Sequence, residues 1–90
     1  MTMQYRIRNR SKKERQRAAI VQALTDIHPH GASSRTIRDR IYDRLGHATP
    51  CTGAVGRFCA ELTAEGWLIA ETTATLSPTY TWFFNPEAGQ

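Results

Sequence analysis

The stretch TPCTGAVGRFCAELTAEGWL, residues 49–68, decides the fold. Within it Val55, Phe58, Cys59 and Leu62 recur at i, i+3, i+4 and i+7, the spacing of one helical face. Thr49 suits an N-cap and Pro50 the first helical position, with Thr52 as an alternative cap, so the pattern predicts a helix over 50–65. Gly66 stops it at C′. Leu62 and Trp67 then stand at C3 and C″, where a Schellman ending places its hydrophobic contact.

Beyond Gly66 the period changes. Trp67 to Thr73 and Thr79 to Phe84 are apolar and β-branched, with ATLSP between them. Pro78 belongs in a turn or on an edge, so the two runs read as one antiparallel hairpin. Tyr80, Trp82 and Phe84 share a face by alternation. Asn85-Pro86 ends the strand, and residues 86–90 are expected to fray.

Two more helices are expected before the deciding stretch. Ser11-Lys-Lys-Glu14 reads as a capping box opening a helix from about Lys12 to Ile27, with Ile20, Ala23, Leu24 and Ile27 as its stripe. His28-Pro-His-Gly31 ends it, Pro29 blocking continuation and Gly31 permitting a turn. Ser33 or Ser34 caps a second helix over about Arg35 to Leu45, with Ile37, Ile41 and Leu45 on one face and Gly46 after it. In residues 1–10, Tyr5 and Ile7 alternate with Arg6 and Arg8, as a short strand or a basic arm would.

Ninety residues with 40% hydrophobic and 22% charged side chains fit one globular domain, residues 11–85, with a thin core that leaves room for dimerisation. No apolar run reaches membrane-spanning length, and no secretory leader is read. Cys51 and Cys59 lie about 12 Å apart along one helix, beyond disulfide reach, which favours a reducing, cytoplasmic setting. The net charge is +4, and it is unevenly spread: residues 1–45 hold eleven of the twelve Lys and Arg but four of the eight acids. A basic half attracts phosphate.

Helix, helix, short turn, helix and hairpin is the helix-turn-helix plan with a wing. The runs SSRTIRDRIYDRLG (33–46) and TPCTGAVGRFCAELTAEGWL (49–68), with the hairpin after them, resemble the winged-helix superfamily of DNA-binding domains. The most specific part is V-x-x-F-C-x-x-L-x-x-x-G-W-L, which is similar to a recognition helix and its exit into the first wing strand. The resemblance covers about Ser33 to Phe84. It implies an α+β, mostly α, three-helix winged helix-turn-helix. It also implies a DNA-binding transcriptional regulator with helix 50–65 in the major groove and the wing over an adjacent phosphate or minor groove.

Tested against that implication, the face opposite the apolar stripe carries Thr52, Gly53, Gly56, Arg57 and Ala60. Thr52 suits a base edge or phosphate, Arg57 a guanine, and the two glycines a close backbone approach. Arg6, Arg8, Arg10, Lys12 and Lys13 suit an arm reaching a minor groove, and Arg35 and Arg38 suit phosphates. The wing tip, Thr73–Thr79, carries no charge, and Thr75, Ser77 and Thr79 offer it only hydroxyls for weak phosphate bonds. Against this, the helix holds one Arg beside Glu61 and Glu65.

A DNA-reading homodimer, with the first helix or the N-terminal segment as dimer element, is therefore one expectation. The other is a protein-interaction module, an adaptor or inhibitor of the kind mobile elements can encode, binding a protein partner through the same face. Metal binding is set aside: His47-x₃-Cys51 has ligand spacing, but no second pair accompanies it. No catalytic motif stands out, and Asp39 and Asp43 sit among arginines as a surface ion-pair face. Neither an enzyme nor a cofactor is expected.

Overall fold

The computed structural model describes residues 11–73, Leu76 and residues 79–88. The expected arm residues Arg6, Arg8 and Arg10, and Thr75 and Ser77, lie outside them. Three helices come first: α1 (Lys12–Ile27), α2 (Ser34–Leu45) and α3 (Thr52–Ala64), with a 3₁₀ turn (Gly46–Ala48) between the last two. A hairpin of β1 (Leu68–Thr72) and β2 (Tyr80–Phe84) follows. The layout is α+β, mostly α, and consistent with a winged helix.

Local chemistry sets most boundaries. Ser11 Oγ accepts the Glu14 amide at 3.1 Å and starts α1. Ser33 Oγ accepts the Thr36 amide at 3.2 Å and starts α2. At the end of α3, the Trp67 amide reaches the Leu62 carbonyl at 2.9 Å and the Gly66 amide reaches Thr63 at 3.1 Å. Those two bonds define the expected Schellman ending, and Gly66 supplies its left-handed φ of 94°.

The start of α3 corrects the sequence reading. Thr49 does not cap it: its amide and hydroxyl both bond back to the Gly46 carbonyl, at 3.1 and 2.6 Å, closing the 3₁₀ turn. Pro50, which has no N–H, lies buried between turn and helix, and Cys51 takes the N-cap position. The helix is therefore 52–64 rather than 50–65.

The core forms where the stripes meet. Ile20 and Leu24 of α1, Ile37 and Ile41 of α2, and Val55, Cys59 and Leu62 of α3 are buried, closed by Leu68 and Trp82 of the hairpin. Gln16 is the one buried polar residue among those described, and its amide donates to the Ala48 carbonyl at 2.6 Å. That bond holds α1 against the turn between α2 and α3, in a setting where an unmade bond would cost free energy.

In the hairpin, Leu68 pairs with Phe84, Ala70 with Trp82 and Thr72 with Tyr80. A third piece of backbone joins it: Ala32, between α1 and α2, exchanges hydrogen bonds with Trp82 at 3.0 and 2.9 Å. Beyond β2, Asn85 organises a turn, its side chain accepting the Glu87 amide at 3.0 Å.

Gly31 is needed for a reason other than the turn conformation read from the sequence. Its φ is not positive, but a Cβ there would meet the Phe83 ring at 2.6–2.8 Å. Gly31→Ala should cost about 1 kcal/mol in urea unfolding, the low end of the overpacking range, because the half-buried Phe83 ring can shift. In a Phe83→Ala background most of that cost should vanish; an undiminished loss there would mean that the ring is not its cause.

Candidate nucleic-acid interface

Burying Val55, Cys59 and Leu62 fixes what α3 shows outside. One helical repeat brings Gly53, Arg57, Ala60 and Ala64 to a common crest, and all four are exposed. Thr52 is exposed at the first position of the helix, and Gly56 is half-buried at the edge nearest α2. A Cβ at Gly53 would meet nothing within 4 Å, and one at Gly56 would only touch Ser34 Oγ at 3.4 Å. Internal packing therefore does not demand either glycine. Both leave helix backbone open to approach, at about 1 kcal/mol each relative to Ala.

The acids of α3 do not share this crest. Glu61 and Glu65 point toward α1. Arg17 pairs with both, at 3.8 Å to Glu61 and more closely to Glu65, and Lys13 reaches Glu61 at 3.6 Å. Lys13 also stands 5.8 Å above the Phe58 ring. Arg57, by contrast, has no ion-pair partner among the described residues. Such exposed pairs contribute little stability, but they neutralise the two carboxylates that would otherwise oppose Arg57.

The remaining expected residues fall in different places. Thr52, Gly53, Gly56 and Arg57 come together on α3. Lys13 is committed to Glu61 on the α1 side, and Lys12 is exposed one position before it. Arg35 is exposed in the first turn of α2, and Arg38 lies 3.7 Å from Asp39. The Thr79 hydroxyl is engaged across the hairpin mouth, 3.3 Å from that of Thr73.

Contacts that the sequence did not reveal complete the surface. Trp82 Nε1 donates to Ser34 Oγ at 3.0 Å, which leaves the serine proton available to a further acceptor. Arg38 follows Ser34 by one helical turn, so the two share a face of α2. Tyr80 stacks on Trp82 with centroids 5.3 Å apart and is half exposed. Between α3 and the wing runs an open, mainly apolar groove of about 510 Å³, floored by Gly53, Gly56 and Ala60 and walled by Tyr80. Nothing local in the sequence marks Ser34 or Arg17 for these roles. Their partners Trp82 and Glu65 each lie 48 positions away.

The two cysteines differ in character. Cys51 is fully exposed at the start of α3; the Ala54 amide, helped by the Gly53 amide and the charge of Arg57, holds its thiol below the ordinary value. Burial pushes Cys59 up to about 12. Among the described residues no three metal-ligating side chains gather, and no helix is long and apolar enough to cross a membrane.

Comparison of the chain with protein-family models, with curated proteins and with solved structures finds no match.

Iodoacetamide at neutral pH should label Cys51 in the native protein and spare Cys59 until the chain unfolds. The Cys51 rate should rise with pH to a midpoint below 9.0, the unperturbed thiol value. Mass mapping of the labelled peptides checks both; equal labelling of the two thiols in the folded protein would contradict the burial of Cys59.

Proposed function

We propose that this protein is a cytoplasmic transcriptional regulator of the winged-helix class, binding double-stranded DNA with α3 in the major groove. The observation that carries the reading is the sorting of charge on α3. Its two carboxylates are turned aside and paired with Lys13 and Arg17, while Arg57 stands unopposed on a crest of small residues. A guanidinium so placed suits the O6 and N7 acceptors of guanine. Arg35 and Arg38 on α2, the Ser34 hydroxyl and the basic residues Arg6, Arg8, Arg10 and Lys12 are the phosphate contacts in this reading. They provide the charge that α3 itself lacks.

The protein binds as a homodimer in this proposal, with α1 as the dimer element. A groove of about 530 Å³ lies along α1, where Ala18 and Val21 face Leu62 and the exposed Trp67. A second reading, a protein-interaction module, is favoured by one feature: the apolar lining of the groove between α3 and the wing.

Titration onto duplex DNA at several salt concentrations separates the two. Log affinity should fall linearly with log salt, with a slope set by the number of phosphates neutralised. Arg57→Ala should weaken the preferred duplex by about 1–3 kcal/mol and flatten the preference among sequences. Absence of binding to a mixed duplex pool at low salt would sink the DNA reading.

A further inference from the structure

The groove between α3 and the wing has a chemistry that a phosphate site does not explain. Its floor is Gly53, Gly56 and Ala60, its wall is the face of Tyr80, and Arg57 at its rim is its one charged residue among those described. Phosphates call for dense donors, whereas this lining is mostly apolar. It is also continuous with the crest that carries Arg57, so whatever meets Arg57 meets the groove as well.

Resting on the DNA reading above, we propose that this groove reads thymine C5-methyl groups, so that the preferred duplex sets thymines beside the guanine taken by Arg57. The occupant is B-form DNA because, among the described residues, the charge at the groove is a cation with no ion-pair partner, and the acids of the same helix are paired on its far side. The methyl group is the bulkiest apolar feature on the major-groove edge of the base pairs. It projects near the sugar-phosphate strand that flanks a helix seated in that groove. A glycine and alanine floor lets it approach the backbone, and the aromatic wall covers it from the wing side. Ser34, held by Trp82, offers its free proton to the phosphate at the end of the same groove.

The test starts from duplexes selected by the full-length protein out of a random pool at low salt. The selected sites should carry guanine adjacent to thymine. Each thymine is then replaced by deoxyuridine, which leaves every hydrogen bond of the pair intact and removes only the methyl. At the one or two thymines beside the guanine, affinity should drop about four-fold per methyl. Replacing the guanine with 7-deazaguanine should cost about ten-fold by removing the N7 acceptor. Ala60→Gln, an exposed substitution by a good helix former, should abolish the thymine-to-deoxyuridine ratio and keep the 7-deazaguanine loss.

Equal affinity for the thymine and deoxyuridine duplexes at every position would overturn the methyl reading and leave DNA binding standing. A methyl effect that survives Ala60→Gln would remove it from this groove. Failure to enrich any duplex would overturn this proposal together with the DNA reading on which it rests.

Discussion

Trp82 holds the hairpin to the helices. Its backbone exchanges two hydrogen bonds with Ala32, its indole N–H donates to Ser34 at the start of α2, and its ring is buried beneath Tyr80. A two-stranded hairpin is marginal by itself, so its position depends on such attachments. Here one residue ties β2 to the α1–α2 connection through its backbone and to α2 through its side chain. The groove beside α3, the stance of Tyr80 and the exposure of the Ser34 proton all follow from that placement.

The second organising feature is electrostatic and concerns direction more than stability. Lys13 and Arg17 on α1 face Glu61 and Glu65 on α3 across an exposed seam. Pairs of this kind are worth roughly 0–1 kcal/mol in water. Their effect on the outer field is larger, because two negative charges within a turn or two of Arg57 are cancelled from the side away from the crest. An acid count along α3 therefore misjudges the surface that the helix presents.

Most element boundaries were legible in the sequence, because they rest on contacts within a few residues. Ser11 and Ser33 cap their helices, and the Gly66–Trp67 ending forms as the spacing of Leu62, Gly66 and Trp67 predicts. The start of α3 was not, although Thr49-Pro50 has the composition of a helix start. Thr49 had two local partners within reach, and the 3₁₀ turn behind it took both its amide and its hydroxyl. Gly31 was placed correctly in a connection, yet its need comes from the Phe83 ring, 52 positions later in the chain.

What the sequence alone determined, then, is the stretch 49–68 and its surroundings as local objects: the period of the apolar face, the Schellman stop, and the change of period into a hairpin. The candidate interface was only partly determined in that way. Periodicity was enough to expose Thr52, Gly53 and Arg57, since burial of Val55, Cys59 and Leu62 dictates the remaining face, whereas Gly56 lies half-buried beside α2. The tertiary structure alone decided that Glu61 and Glu65 are paired off by α1, that Ser34 is held by Trp82, and that Tyr80 walls a groove over Gly53 and Ala60. Each of these joins residues 20 to 50 positions apart, where no propensity or spacing rule acts. Only the packing of the helices and the wing around one core brings them together.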